Sequence, residues 1–387
     1  MRPRAITGVG VVSPLGVGRQ AFFEAIQAGT RPAAKDGHLG VPDFDATKYL
    51  GDKGLRSLDR LTKLLVVAAR LALHDSGLKR DGAWVALAPE QVGLVVSNAY
   101  GSLEATTELD RVATLEDARY INPSRFPLTV SNSAAGYTSI WEELRALNVS
   151  VSDGNCGALD ATACADVMLE QRRARVLLVG GAEAMSEALL LAFQKLDARG
   201  DGASDDAAFL GEGAALVTME LPEAAKARAA NVLGEVVGYG TAFVPPERDA
   251  VLVHASSEAL ERAIADALSD AGASRDDVDM VVSGVSGMRA FDEAELLATA
   301  NALGPGSCVV APKLALGETL GAGGAMGMLA ALAYFAKPGP GDSGSTGNAT
   351  HPLTVRGTLR TAPRTAVVTS LGYYGNASAL VMRAPSR

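Results

Sequence analysis

Residues Asn148 to Glu187, NVSVSDGNCGALDATACADVMLEQRRARVLLVGGAEAMSE, limit what this chain can fold into more than any other stretch. The segment opens as a short alternating strand, Val149-Ser150-Val151-Ser152. A sharp turn at Asp153-Gly154-Asn155 follows, and then a helix with Gly157, Ala158, Ala161, Cys164, Ala165 and Met168 close together on one face. Side chains that small let another backbone approach closely, so the helix is expected to be buried rather than to lie on the surface. After Arg172-Arg173 the run Val176-Leu177-Leu178-Val179-Gly180-Gly181 has the character of a central strand. Strand, tight elbow and buried helix together present one side chain at a helix N-terminus.

A chain of 387 residues can bury a large core, and its length suggests two domains or a duplicated one. Apolar residues at 48% and charged residues at 20% are ordinary globular values. The opening Ala5-Ile6-Thr7-Gly8-Val9-Gly10-Val11-Val12 is broken by glycines and stopped by Pro14, so it reads as a first strand and not a signal peptide. No apolar run approaches membrane-spanning length. The three cysteines, Cys156, Cys164 and Cys308, lack zinc spacing and cannot all pair, which fits a reducing cytoplasm and predicts no metal. A net charge of -9 argues against a nucleic-acid partner.

The periodicity predicts helices over Gln20 to Gln27 and Asp59 to His74, the second ending at Asp75-Ser76-Gly77 and leading into a strand Val92 to Ser97. The same order returns later: a helix Ser257 to Ala271, Asp270-Ala271-Gly272, and a strand Val278 to Ser283. Two α/β halves of related design are the natural inference, with the junction near Gly238-Tyr239-Gly240-Thr241 and halves of 1–240 and 241–387. Lys337 to Gly344 is rich in chain breakers and is expected to be a surface loop. The chain closes with strands Ala366 to Gly372 and Ala379 to Met382 around a glycine-containing turn.

Three stretches together resemble the β-ketoacyl synthases: the N-terminal Ile6 to Gly16, the elbow, and the C-terminal Ser370-Leu371-Gly372-Tyr373-Tyr374-Gly375-Asn376-Ala377. The resemblance implies a thiolase-like fold, a five-layer αβαβα sandwich made of two duplicated halves. It also implies a catalytic cysteine at the elbow and two histidines in later motifs. Counting back from Gly180-Gly181, the cysteine's position is occupied by Asn155, with Cys156 one residue too late. Val281 to Gly287 ahead of Asp292 aligns the first histidine with Gly284. Lys313-Leu314-Ala315-Leu316-Gly317-Glu318 keeps the lysine of the second motif and replaces its histidine with Glu318. None of His38, His74, His254 and His351 falls at either motif.

A condensing enzyme needs a thiolate to carry the acyl chain and imidazoles to assist decarboxylation and stabilise the enolate. An amide is no useful nucleophile, and a glycine and a carboxylate donate no hydrogen bond to an enolate. The pocket therefore reads as inactive for condensation, and the elbow is closest to that of chain-length factors, the ketosynthase-like subunits of type II polyketide synthases. That resemblance implies no cofactor, a heterodimer with an active ketosynthase packed through Asn148 to Ser152, and an acyl carrier protein bearing the growing chain. The tunnel wall is expected at Ser102, Leu103, Ala105, Thr106 and Leu109; such small side chains suggest an open tunnel and a long or polyene-like product. Lys313, Gly372 and Gly375 are expected to be structural. Two other roles stay open: Cys156 as a shifted nucleophile with Glu318 in a different acyl transfer, against a buried packing role, and Glu318 as a base, against a structural pair with Lys313.

Overall fold

The computed structural model describes residues 1–35, 37–195, 210–248, 253–336 and 351–385; the loop expected at Lys337 to Gly344 lies outside them. Eleven strands run in line through one large sheet. In chain order they are β1 (Arg4–Ser13), β2 (Val92–Ser97), β3 (Asn148–Val151), β4 (Val176–Glu183), β5 (Gly213–Glu220), β6 (Gly234–Phe243), β7 (Met280–Val282), β8 (Val309–Val310), β9 (Thr354–Arg356), β10 (Thr365–Leu371) and β11 (Asn376–Arg383). A short strand, Gly16–Val17, is appended to β1. The main helices are α1 (Arg19–Ala28), α2 (Arg60–Asp75), α3 (Leu103–Val112), α4 (Ser133–Glu142), α5 (Gly157–Glu170), α6 (Glu187–Lys195), α7 (Ser257–Asp270), α8 (Arg289–Leu303) and α9 (Gly323–Ala336).

The duplication is explicit in the strand order. The first half reads β3-β2-β4-β5-β1 and the second β8-β7-β10-β11-β6, with β9 added beyond β8. Numbered within its own half, each is third-second-fourth-fifth-first. Directions match as well: the second strand is parallel to the third and fourth, and the last two pairings are antiparallel. The halves join where Arg4 to Ile6 of β1 pairs with Gly234 to Val236 of β6. The Gly238 to Thr241 stretch, expected at the junction, lies inside β6; a division that keeps each set of strands whole would fall ahead of Gly234.

Local chemistry places the helices as the periodicity predicts. The Asp59 side chain caps α2 by accepting from the Thr62 N–H (2.9 Å), and Ser256 caps α7 by accepting from Ala259 (3.1 Å). Both helices then pack on the first strand of their own half across glycines: a Cβ on Gly10 would lie 1.8 Å from Ala68 O, and one on Gly240 would lie 2.1 Å from Ala263 O. The layers are α2 and α4, the first sheet half, α5 and α9, the second sheet half, then α7 and α8. Helix α9 is buried on all sides from Gly323 to Tyr334, as a helix sandwiched between two sheets requires. The short strand β3 is the outer edge of the first half.

No helix among the described residues is long and apolar enough to cross a membrane. No group of three or more His, Cys, Asp or Glu among them is placed to hold a metal ion.

Candidate active site at the elbow

Strand β3 leaves the sheet edge into Asp153 and Gly154, turns once, and delivers Asn155 and Cys156 to the N-terminus of α5. Asn155 is 3% exposed, and its Nδ2 donates to Leu371 O at 3.3 Å. Ser370 Oγ returns a hydrogen bond to Asn155 O (2.6 Å), so the elbow is fastened on both sides to the end of β10. Cys156 is fully buried and its Sγ donates to Ser370 O at 3.5 Å. Burial pushes its thiol well above the usual value, and the Asp160 and Asp153 carboxylates push it further. That environment is the opposite of one that activates a thiol.

The second half supplies the other two positions. Gly284 follows β7 and its N–H donates to Glu295 Oε1 (2.6 Å); a Cβ there would lie 2.9 Å from Glu295 Oε2. Glu295, on α8, also accepts from Thr369 Oγ1, and burial raises its carboxyl above the usual range. Asp292 accepts from the N–H groups of Ser286 (3.0 Å) and Gly287 (2.9 Å), closing that loop. Glu318 is buried and takes Lys313 Nζ on both oxygens, at 2.8 and 2.7 Å, with the Leu320 N–H at 2.9 Å as a third donor. Glu318 is thus paired with Lys313.

Tyr373 fills the space between these groups. It is buried, packs edge-on against Phe193 (5.9 Å between centroids) and Phe291 (5.2 Å), and its hydroxyl faces Met288 Sδ at 3.9 Å. Burial raises the phenol well above its ordinary value, Glu318 adds to the rise, and an interaction with Asn155 opposes it. The C-terminal turn leaves no room for larger residues. A Cβ on Gly372 would lie 2.0 Å from Asn376 Oδ1, and Gly375, at φ 87°, would place one 2.0 Å from Val244 O. His254 is drawn alongside this turn, its N–H donating to Tyr373 O (2.7 Å). His351 lies elsewhere, its Nε2 3.1 Å from Ile26 O.

A buried and a half-buried carboxylate at the site carry no motif and escape the sequence. Glu183, the last residue of β4, accepts from the N–H groups of Ala99 (2.7 Å), Tyr100 and Gly321 (3.2 Å), and burial raises its pKa to about 7. Asp160 on α5 accepts from Tyr239 Oη (2.7 Å) and Ser378 Oγ (2.6 Å); burial first, and Asp153 next, raise it to about 7.

The residues expected to line a tunnel fall together at α3. Ser102 Oγ caps the helix by accepting from the Ala105 N–H (3.4 Å), and Ala105 is buried. Leu103 packs on the cluster that holds Phe193 and Tyr373. Thr106 is exposed and Leu109 half-buried, so α3 turns one face outward from this chain. Beyond it Leu115, Tyr120, Phe126 and Ile140 are large apolar residues open to solvent.

Comparison with known proteins agrees with this geometry. The chain matches the N-terminal domain of beta-ketoacyl synthase over residues 1–225 and the C-terminal domain over residues 233–337. A Streptomyces halstedii protein named as a polyketide beta-ketoacyl synthase 2 is 31% identical, across 99% of this chain and 97% of the relative. The 3-oxoacyl-acyl-carrier-protein synthase 2 of Rhizobium meliloti is 30% identical, across 84% of each. Among solved structures, the ishigamide ketosynthase/chain length factor superposes over the whole of both chains with a TM-score of 0.86 at 22% identity. A type II polyketide synthase acyl-carrier protein in complex with its ketosynthase gives 0.80, also at 22% and over both whole chains. The two matched domains and the full-length relatives place this chain in the β-ketoacyl synthase family, on the thiolase-like fold.

Proposed function

We propose that this chain is the condensation-inactive, chain-length-factor-like subunit of a type II polyketide ketosynthase, acting beside an active ketosynthase on chains carried by an acyl carrier protein. The observation that carries the reading is Asn155. The side chain at the nucleophile position is a buried amide committed to Leu371 O, with no ionisable atom to attack a thioester. The two other positions of the motif agree: Gly284 has no side chain and Glu318 is closed on Lys313. The named polyketide relatives and the ketosynthase/chain length factor neighbour support the same assignment, as does an edge strand flanked by exposed apolar residues. Cys156, buried and raised, does not favour acyl transfer through a shifted thiol.

The test is intact-mass spectrometry of this chain co-purified with an active type II polyketide ketosynthase, after incubation with acylated carrier protein. Acyl mass is expected on the partner alone. Acyl mass on this chain that disappears with Cys156→Ala would overturn the reading.

A further inference from the structure

We infer that Glu183 is a positioning residue, holding helix α3 in register with the Lys313–Glu318 motif and so setting which acyl chains the tunnel proposed at α3 accepts. The specificity part of this inference rests on the chain-length reading above. Three backbone segments meet at Glu183: the exit from β2 at Asn98 to Tyr100, the end of β4, and Gly321 just beyond Glu318. They touch main chain to main chain. A Cβ on Gly321 would lie 2.5 Å from Asn98 Cα, and one on Gly181 would lie 2.0 Å from Gly321 O. Such close packing transmits a shift at one segment to the others.

The carboxylate is the side chain that ties them. One oxygen takes the N–H of Ala99 and of Gly321, and the N–H of Tyr100 completes the set. Convergent N–H donors call for a group that only accepts; a glutamine in the same place brings an amide that competes with them. Asn98 Nδ2 fastens the same exit to Ser131 O (2.8 Å), and two residues past Tyr100, Ser102 caps α3. Hydrogen bonds therefore link Lys313 through Glu318 and the Leu320–Gly321 backbone to Glu183 and the exit of β2, and the covalent chain continues from there through Gly101 into α3. On this inference a displacement at Glu318 or Gly321 is passed to the start of α3.

The experiment pairs amide hydrogen exchange of the full chain with product analysis of the co-expressed heterodimer, for Glu183→Gln and for the carboxylate-retaining Glu183→Asp. With Glu183→Gln, amides from Ala99 to Leu109 are expected to exchange roughly ten- to a hundredfold faster, the equivalent of one or two lost hydrogen bonds. The product-length distribution is expected to broaden, and Glu183→Asp to lie between variant and parent. Unchanged exchange at Ala99 to Leu109, or a rise spread evenly over the chain, overturns the inference. So does a locally raised exchange with unaltered products, provided Thr106→Phe shortens them in the same system. If Thr106→Phe has no effect either, the placement of α3 in the tunnel wall has failed and the specificity part falls with it.

Discussion

Lys313 Nζ sits 2.8 and 2.7 Å from the two oxygens of Glu318, and both side chains are buried beneath the elbow. A buried pair of this kind contributes little over an apolar pair of equal volume, yet removing one partner strands a charge at a cost of about 3–5 kcal/mol. Glu318→Gln is therefore expected to lower stability by about 3 kcal/mol or more in urea unfolding. The double change Lys313→Met with Glu318→Leu is expected to recover most of that loss. A loss under about 1 kcal/mol for Glu318→Gln would show the lysine reaching solvent or another anion.

The elbow thiol yields a second expectation. Cys156 is sealed and its thiol raised, whereas Cys164, also raised by burial, is half-exposed on α5. In the native protein at pH 8, iodoacetamide is expected to modify Cys164 at least about tenfold faster than Cys156, since each unit of raised pKa costs tenfold in thiolate. Peptide mass mapping against time reads both sites. Comparable rates would reopen the shifted-nucleophile route.

These two sites differ in how far the sequence announces them. The elbow and the Lys313–Glu318 exchange are legible because each occupies a fixed offset from a glycine motif, and a single residue type decides the chemistry. Glu183 and Asp160 are not, because what matters is the burial and donors that other elements bring: Ala99 and Gly321 to the first, Tyr239 and Ser378 to the second. The fold offers a similar contrast. The helix–glycine–strand echo reveals two halves, but Gly238-Tyr239-Gly240 looks like a linker until it is set against Gly8-Val9-Gly10. Both are first strands whose alternate glycines admit a helix of their own half, α2 against Gly8 and Gly10 and α7 against Gly238 and Gly240. Glycine signals flexibility in a sequence and close backbone approach in a packed layer.

Asp160 makes stability depend on pH. Its folded pKa of about 7 lies above the ordinary 3.8, so the folded state holds a proton that the unfolded state has lost. The stabilisation is complete below about pH 4 and lost as pH rises through 7. Asp160→Asn keeps a neutral side chain at every pH and removes that loss. Between pH 4 and 8 the variant is expected to gain up to about 4 kcal/mol relative to the parent, at 1.36 kcal/mol per unit of the shift. Parallel slopes in urea unfolding across that range would assign the titration elsewhere.

The exposed face next to β3 is where the proposed ketosynthase partner is expected to sit. Asn148 Nδ2 donates to Ala135 O (2.8 Å) and meets Ser139 Oγ (2.7 Å), which fixes α4 beside the edge strand and leaves Ile140 73% exposed. Burying a carboxylate there without a counter-charge is costly. Ile140→Asp is expected to weaken association with the ketosynthase at least about tenfold while leaving this chain's own melting within a few degrees of the parent. Sedimentation of the mixed subunits measures it, and unchanged association would move the interface to another face.

Product length is the last expectation. Thr106 is exposed on α3, its hydroxyl donating back to Ser102 O at 3.1 Å, so a larger side chain at this position projects away from this chain's core and not into it. Thr106→Phe is accordingly expected to fold and pair normally. If α3 forms part of a tunnel wall against the ketosynthase, the added ring takes up length that the growing chain would occupy. The variant heterodimer is then expected to release products shorter by at least one extension unit, as read by mass spectrometry of the released polyketides. Unchanged lengths from a normally assembled heterodimer would remove Ser102 to Leu109 from the wall, while leaving the proposal about the Asn155 elbow as it stands.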